Sequence, residues 1–423
     1  MINQKSIEEV RKSNFGNNFV KPLYDSYCYS QIPQTIINLL TKNRQGGLPK
    51  DVLEDIPREY DKVILILIDG LGWNNFDKYC KNYNFTKHLT NNGVISMITS
   101  QYPSTTAAEI TTINTNQQVC EHGIYEWFYY EPEVDAIIAP LLFSYAKDEA
   151  RGTLTASGIK LNKIFPKNSF YKHLGKDGIK SFIFQPSLFS DSPYTNHIFE
   201  PAVKIGYESL EDGLNTLRKC VLSEKSKSYF YFYFGEFDSF LHSHGSSAKG
   251  AKKILDNLFE NLEVFYKSIS KSEKTLIIIT SDHGQSNINP EETIYLNEKF
   301  PQIKKLIKKN KKGEYLAPAG QCRDMYLYIK EEYFEEAFIF LTKALRNDAA
   351  VFKTNDLLKK GFYGNKKVSS IFLKRLGNIA LVCYEGKSVW WYKKGEFEQN
   401  YHGHHGSLTR DEMEIPFLCI PIE

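Results

Sequence analysis

Three unbroken apolar segments constrain the fold of this chain more than any other feature. They are KVILILID at 62–69, SYFYFYF at 228–234 and KTLIIITS at 274–281. Runs of this length without polar alternation are typical of parallel strands that are buried on both faces. Between the second and third segments, apolar residues from Ala251 to Ile269 recur at helical spacing, which indicates a strand, helix and strand crossover. We therefore predict an α/β protein with a mostly parallel central sheet flanked by helices.

The same patterns divide the chain into a core and two additions. We assign 56–290 and 400–423 to the core, 1–55 to a peripheral N-terminal segment, and 291–399 to a small inserted α+β cap. A short helix is expected at 32–41 in the peripheral segment. The cap is expected to contain strands at 324–330, 379–383 and 389–393 and a helix at 331–346.

Composition excludes several classes of protein and partner. The net charge of +3, from 53 basic and 50 acidic residues, does not favour a nucleic acid or a membrane surface as a partner. The first thirty residues lack the apolar core of a signal peptide, and no stretch approaches the ~20 apolar residues of a membrane span. We expect a soluble, cytoplasmic protein. Seven cysteines without CxxC spacing predict free thiols, neither a disulfide framework nor a cysteine metal site. Oligomeric state is not predicted.

Acidic and histidine residues follow the predicted strands. Asp69 ends the first segment, and Asp238 follows the second. Open α/β sheets bind ligands at the carboxyl edge of their strands, so both are site candidates, although a turn or helix-capping aspartate is the ordinary alternative for Asp69. Asp238 and His242 are four residues apart, so on a helical turn they face the same way and could hold one ion. His244 is the alternative to His242.

Two further motifs add imidazoles. Asp282 and His283 follow the third segment, and Gly284 permits a sharp turn that would bring both side chains together. Near the C-terminus, YHGHHG at 401–406 holds three histidines, His402, His404 and His405. Imidazole and carboxylate together without thiolate suit zinc, or a similar first-row ion, in an open catalytic site.

A threonine at the start of a helix is the candidate nucleophile. The apolar segment 93–99 gives way to QYPSTTAAE at 101–109, in which Thr106 and Glu109 have the spacing of a capping box. A Thr106 hydroxyl at that position lies at the positive end of the helix dipole, which favours an oxyanion or a bound phosphate. An ordinary capped helix is the alternative.

The order of these motifs resembles the alkaline phosphatase superfamily, in its nucleotide pyrophosphatase/phosphodiesterase-like branch. The motifs are IDG (Asp69), PSTT (Thr106), EHGI (121–124), EFDSFLH (Asp238, His242), SDHG (Asp282, His283) and GHHGSLTRDEM (His405). The resemblance implies one metal site from Asp69, Asp282, His283 and the Thr106 hydroxyl, and a second from Asp238, His242 and His405. It implies two divalent ions, zinc or alternatively manganese, and a phosphothreonine intermediate on Thr106.

The resemblance also implies the activity. It predicts a two-metal hydrolase that cleaves phosphodiester or phosphoanhydride bonds of a small, nucleotide-type phosphate ester. A phosphomonoesterase or phosphomutase on the same scaffold is the alternative, and a non-catalytic binding protein is disfavoured by the complete ligand set. Sulfatases share the fold but need a Cys or Ser before Pro-x-Arg, and no such motif surrounds Thr106.

Four residues are candidates for substrate contacts. Glu109 stands where relatives tend to have an asparagine. Because an ionised carboxylate repels a dianionic monoester more than a monoanionic diester, a Glu109 near the phosphate would favour diesters. The alternative is that Glu109 only closes the capping box. Tyr125 and Trp127 belong to an aromatic cluster that could stack a nucleobase or pack in the core. Arg323 could either contact a phosphate or hold the cap to the core.

Overall fold

A seven-stranded sheet forms the centre of the protein. The computed structural model describes residues 1–16, 18–43 and 45–422. The strands of the sheet are β1 Lys62–Ile68, β2 Val94–Thr99, β3 Lys180–Pro186, β4 Val203–Tyr207, β5 Ser228–Phe234, β6 Thr275–Thr280 and β11 Glu414–Ile422. Their spatial order is β2-β11-β6-β1-β5-β3-β4. Only β11 runs antiparallel to its neighbours, so the prediction of a mostly parallel sheet is confirmed.

The three apolar segments of the sequence lie side by side in this sheet. β1 is the middle strand; Ser228 of β5 lies opposite Lys62, and so does Thr275 of β6. All three strands are almost entirely buried, since layers of helices cover both faces. Because the strands start level, they also end level, and the residues that follow them meet at one edge of the sheet.

Helices surround the sheet. Those of six or more residues are α1 Gln4–Lys12, α2 Ile32–Leu40, α3 Asn84–Asn92, α4 Thr106–Thr115, α5 Phe170–Lys176, α6 Pro193–Ile198, α7 Leu210–Ser223, α8 Glu236–His244, α9 Lys249–Ser268, α10 Phe334–Ala344, α11 Thr354–Lys359 and α12 Ser370–Arg375. The expected crossover helix is α9, which buries one apolar stripe that includes Leu255, Leu258 and Leu262. Among the described residues, none of the helices is both long and apolar enough to cross a bilayer.

The N-terminal segment covers an edge of the sheet. Ile2 forms a bridge with Ile95 of β2, and Cys28 forms another with Thr99 at the end of the same strand. The backbone N–H of Asn3 donates to the Ile95 carbonyl oxygen at 2.8 Å. These contacts occupy polar groups that an edge strand would otherwise expose.

A second, smaller sheet of four strands lies between residues 319 and 383. Its strands are β7 Ala319–Gly320, β8 Asp324–Leu327, β9 Ala349–Lys353 and β10 Ile379–Cys383, in the antiparallel order β7-β8-β10-β9. It has an apolar cluster of its own, which includes Leu327, Leu341 and Leu381. The expected strand at 324–330 ends earlier, at Leu327, and the expected helix at 331–346 is shorter, since α10 spans 334–344.

Short elements complete the fold. A three-stranded sheet is formed by Tyr129–Glu131, Ala136–Ala139 and Ser144–Tyr145. Two-stranded pairs are formed by Asn14–Phe15 with Phe19–Val20, Ser286–Asn287 with Gly403–His404, and Ile294–Tyr295 with Val389–Trp390. Helices of four residues lie at Gly72–Asn75, Val119–His122, Leu161–Ile164, Ser187–Ser190, Leu296–Lys299, Ile303–Leu306 and Arg410–Met413. All seven cysteines are free, as predicted.

Candidate active site

The carboxyl ends of β1, β5 and β6 bring four of the predicted ligands together. Asp69 directly follows β1, Asp238 lies in the first turn of α8 after β5, and Asp282 and His283 follow β6. The backbone passes close to these side chains at Gly70, where φ is 72° and a side chain would collide with Asp238. The site is therefore built at the edge of the sheet where open α/β folds bind ligands.

The first group of ligands surrounds the Thr106 hydroxyl. Thr106 Oγ1 lies 3.1 Å from His283 Nε2. The same nitrogen lies 3.5 Å from Asp69 Oδ1 and 3.5 Å from Asp282 Oδ2. Both of those carboxylate oxygens are buried and have no hydrogen-bond donor. Buried carboxylate oxygens without donors are costly unless a cation occupies the space between them.

The second group of ligands is connected to the first. His242 Nε2 lies 3.3 Å from Asp238 Oδ2, and one ligand atom each of Asp238, His242 and His405 fall within 4.8 Å of one another. His242 Nδ1 donates to the Gly403 carbonyl at 2.8 Å, and His405 Nδ1 donates to the Ser104 carbonyl at 2.9 Å. These bonds leave both Nε2 atoms free to act as ligands.

Asp238 stands between the two groups. Its carboxylate also falls within 4.8 Å of ligand atoms of Asp69 and His283, so the geometry groups it with both predicted sites. Burial and the neighbouring carboxylates of Asp282 and Asp238 raise the pKa of Asp69 well above its ordinary value. Although burial opposes ionisation, the imidazoles of His242 and His405 hold the pKa of Asp238 below its usual range.

This donor set fits divalent metal ions. Three buried carboxylates and three buried or half-buried imidazoles converge, and burial beside two other carboxylates makes the ionised form of Asp69 unfavourable unless positive charge lies nearby. Oxygen and nitrogen donors without thiolate are the ligands that zinc and similar ions take in catalytic sites.

The competing histidines lie elsewhere. His244 is exposed, and its ring stacks on Phe240 at 4.4 Å between centroids. His402 is also exposed. His404 is buried beside His405, and its Nδ1 accepts a hydrogen bond from the His405 backbone N–H at 3.0 Å. The structure thus places His242 and His405, and not these three, in the ligand groups.

The predicted capping box at Thr106 is wrong. Helix α4 begins at Thr106 and its N-cap is Thr105. The Glu109 carboxylate turns inward instead: it accepts bonds from Ser100 Oγ and the Gln101 N–H, both at 2.7 Å, and from Gln101 Nε2 at 2.8 Å. Glu109 is fully buried, and burial raises its pKa to about 8. It lines neither cavity described below, so the predicted substrate contact of Glu109 is wrong as well.

The two aromatic candidates, Tyr125 and Trp127, lie in different surroundings. Tyr125 is fully buried, its ring packs on Tyr129 and Tyr326, and its hydroxyl donates to the Arg375 carbonyl at 3.2 Å. Base stacking by Tyr125 is therefore excluded, and core packing is its role. Trp127 is half-buried and lines both cavities beside Thr106.

Arg323 forms a buried ion pair, so its guanidinium is not available to contact a phosphate. Its Nη2 lies 2.7 Å from Glu412 Oε2, and neither side chain is exposed. Glu412 also accepts a bond from the Ser407 N–H at 3.1 Å, two residues beyond His405. The pair thus links strand β8 to the loop that carries His405.

Two cavities meet at Thr106. The smaller, of about 140 Å³, is lined by Arg151 and by apolar and aromatic side chains such as Leu141 and Phe189; we call it the Arg151 cavity. The larger, of about 380 Å³, is lined by Asp238, His242, His404 and His405 and by Trp390 and other aromatic residues; we call it the Trp390 cavity.

Two residues that hold the ligands were not predicted. The Tyr233 hydroxyl donates to Asp69 Oδ2 at 2.5 Å, and Gln285 Nε2 donates to Asp238 Oδ1. Tyr233 is one of several aromatic residues of an apolar strand, and nothing in the sequence separates it from the others. Gln285 follows the motif that contains His283 by two residues, and that proximity is the one signal that could have found it.

The fold and the site together define a class. A mostly parallel sheet whose carboxyl edge presents a threonine at a helix start, within two linked groups of carboxylates and imidazoles, is the arrangement of hydrolases of the alkaline phosphatase superfamily. The model of the family "Type I phosphodiesterase / nucleotide pyrophosphatase" matches residues 63–408, and the chain belongs to this family. It is accordingly an enzyme of the nucleotide pyrophosphatase/phosphodiesterase type.

Solved structures show the same fold. Murine ectonucleotide pyrophosphatase/phosphodiesterase 5, as an inactive variant in complex with AMP, has a TM-score of 0.65 at 17% identity, with 85% of this chain and 88% of that chain covered. A second structure of the murine protein has a TM-score of 0.65 at 18% identity, covering 85% and 88%. The human protein has a TM-score of 0.64 at 19% identity, covering 85% and 87%. No curated protein sequence matches the chain significantly.

Proposed function

We propose that the protein is a two-metal phosphodiesterase or pyrophosphatase that cleaves phosphodiester or phosphoanhydride bonds of nucleotide-type substrates through a phosphothreonine intermediate. The observation that carries the proposal is the Thr106 hydroxyl, which starts helix α4 and lies 3.1 Å from His283 Nε2, close to one oxygen of Asp69 and one of Asp282 that are buried and have no donor. Membership of the family supports the reaction, and the AMP bound by the murine relative supports a nucleotide.

The ligand groups would hold the two ions. Asp69, Asp282, His283 and Thr106 would hold one, Asp238, His242 and His405 would hold the other, and zinc suits these donors best. When bound, two such ions supply positive charge that stabilises the attacking and leaving oxygens of a phosphoryl transfer.

The chain's own residues organise the transfer. Thr106 Oγ1 attacks phosphorus, and the start of helix α4 favours negative charge on that oxygen. Tyr233 and Gln285 orient the Asp69 and Asp238 carboxylates by hydrogen bonds. Water then hydrolyses the phosphothreonine ester and restores the hydroxyl.

Replacement of Thr106 tests this proposal. Thr106→Ala should lower turnover of bis-p-nitrophenyl phosphate by several orders of magnitude, because the covalent step is lost, while the protein still binds zinc through the remaining ligands. Thr106→Ser should retain part of the activity, and Thr90→Ala, which removes an exposed hydroxyl, should retain all of it. Near-normal activity of Thr106→Ala would eliminate Thr106 as the nucleophile.

A phosphomonoesterase is the second candidate, and one observation favours it. The charge argument for diesters depended on Glu109 near the phosphate, and Glu109 is buried away from both cavities. Parallel assays with p-nitrophenyl phosphate decide between the two: a Thr106-dependent preference for the monoester would move the protein to this class.

A further inference from the structure

The two cavities at Thr106 differ in charge, and this difference bears on the substrate. The Arg151 cavity contains one basic side chain and no acidic one among its lining residues in the described ranges. The Trp390 cavity has the opposite character: beyond the ligand Asp238, Glu396 and Glu398 line it, and no lysine or arginine of the described residues does. A substrate that extended into both cavities would meet a basic side chain at one end and acidic side chains at the other.

Geometry assigns the leaving group to the Trp390 cavity. In an in-line displacement the nucleophile and the leaving group lie on opposite sides of phosphorus. Thr106 belongs to the first ligand group, through its contact with His283. The leaving group therefore departs toward Asp238, His242 and His405, which line the Trp390 cavity.

The wall of this cavity is aromatic. The rings of Phe128 and Trp390 are stacked with centroids 6.4 Å apart, and Phe397 meets Phe128 edge-on at 6.0 Å. Trp127 and Tyr401 complete the wall. Faces of tryptophan and tyrosine attract ammonium groups, particularly where water is excluded.

The carboxylates add a free negative charge. Glu396 is already paired, with 2.6 Å between its Oε2 and Lys393 Nζ. Glu398 differs: its Oε1 accepts bonds from the Tyr392 hydroxyl at 3.3 Å and the Gly395 N–H at 3.2 Å, and no cationic side chain of the described chain pairs with it. A polyphosphate leaving group would meet repulsion from Glu398, whereas a cation would be attracted.

We propose that the leaving group of the natural substrate is a cationic alcohol, that is, an amino alcohol or a quaternary ammonium alcohol, and that polyphosphate leaving groups are disfavoured. This inference rests on the proposed function. The bond between phosphorus and the alcohol oxygen breaks as the bond from Thr106 Oγ1 forms, the Thr106 proton is lost, and the alcohol leaves with a proton. Water then cleaves the phosphothreonine, so that diester and water give monoester and cationic alcohol.

Three substrates that share AMP as the retained group test the preference for a cationic leaving group. They are the choline ester of AMP, the 3,3-dimethylbutyl ester of AMP, which is isosteric but neutral, and ATP. We expect kcat/KM for the choline ester to be about tenfold higher than kcat/KM for the neutral ester. The difference between the choline ester and ATP should be larger still. Equal rates for the two esters, or a preference for ATP, would overturn the proposal.

A variant of Glu398 tests whether this side chain causes the charge preference. Glu398→Gln should reduce the ratio of the choline ester to the neutral ester toward one, since it removes the free charge and keeps the shape. Glu292→Gln is the matched control, because Glu292 is exposed, pairs with Lys387 and lines neither cavity. If Glu398→Gln leaves this ratio of kcat/KM values unchanged, Glu398 does not cause the preference for a cation. That result would refute the assignment of a cationic leaving group to the Trp390 cavity.

A binding measurement separates this proposal from the proposed function. Choline alone should bind the zinc-loaded protein in calorimetric titrations at least several-fold more tightly than 3,3-dimethylbutanol, and Glu398→Gln should abolish the difference. No Thr106-dependent turnover of any of the three substrates would refute the proposed function, while the titration still decides whether the cavity prefers a cation. Equal or absent binding of both alcohols would overturn the inference.

Discussion

Asp324 and Glu126 form a buried carboxyl pair beneath the loop that carries the predicted ligand His405. Neither is exposed, and Glu126 Oε1 and both oxygens of Asp324 lack donors. Burial raises the pKa of Glu126 to about 8, and burial together with the Glu126 carboxylate raises the pKa of Asp324 well above its ordinary value. Both groups are therefore protonated in the folded protein at pH values where they ionise in the unfolded chain.

This pair makes stability depend on pH. Because the folded pKa values lie above the unfolded ones, the stabilising contribution is complete below about pH 4 and is lost as the pH rises through the folded pKa values, of which that of Glu126 is about 8. The loss is up to about 1.4 kcal/mol per pH unit for each group. Asp324→Asn cannot ionise, and its amide can donate to Glu126. We expect the thermal midpoint of Asp324→Asn to fall less than that of the wild type as the pH rises from 5 to 8.

The exposed Asp177→Asn is the control and should follow the wild type. Equal decreases in the midpoints of wild type and Asp324→Asn across this range would show that Asp324 does not ionise on unfolding.

At the scale of elements, a buried ion pair connects strand β8 to the loop that holds His405. Arg323 and Glu412 are both fully buried, and Glu412 also binds the Ser407 N–H. Glu412→Gln should destabilise the fold by about 3 kcal/mol or more, because Arg323 keeps its buried charge without the carboxylate that balances it. It should also weaken zinc binding, since the His405 loop loses its anchor. Thermal unfolding and zinc content after dialysis measure the two effects.

A second buried pair provides a matched control. Arg375 Nη2 lies 2.6 Å from Glu131 Oε2, and the Arg375 guanidinium also donates to the carbonyls of Gly123 and Ile164, neither of which is a predicted ligand. Glu131→Gln should lower stability by a similar amount and leave zinc content unchanged. Equal zinc loss in both variants would mean that the Arg323–Glu412 pair acts through general stability alone.

The three central strands show what local pattern predicts and what it does not. β5 spans the predicted 228–234, and β1 and β6 end within one residue of the predictions. Apolar runs report burial directly, so strand positions follow from them. The role of Gly284 was predicted less well: it has no positive φ, and a side chain there would collide with the Asp411 carbonyl and the Gly72 backbone, so close packing requires the glycine.

At the scale of the whole molecule, the ligand groups join segments that are far apart in sequence. Asp69, Asp238, Asp282 and His405 come from four such segments, so a bound ion would bridge them in the folded state and not in the unfolded chain. We therefore expect zinc at 100 times its dissociation constant to stabilise the protein by about 2.7 kcal/mol, with a matching rise in thermal midpoint.

Removal of the ion should reverse that rise. EDTA should lower the midpoint of the wild type, and Asp238→Ala, which takes a ligand from both groups, should show a much smaller response. A midpoint that is independent of zinc and EDTA in the wild type would contradict metal binding at this site.

The sequence by itself determined the sheet, its central strands and the segments that carry the candidate ligands, because apolar runs and the residues at their ends are local features. The tertiary structure alone decided the roles of Glu109, Tyr125 and Arg323. Glu109 binds Ser100 and Gln101 instead of its own helix start, and Arg323 pairs with Glu412, 89 positions away. The cavities likewise join segments as distant as Thr106 and Trp390. Polar side chains take the partner that burial leaves available, and only the folded chain specifies that partner.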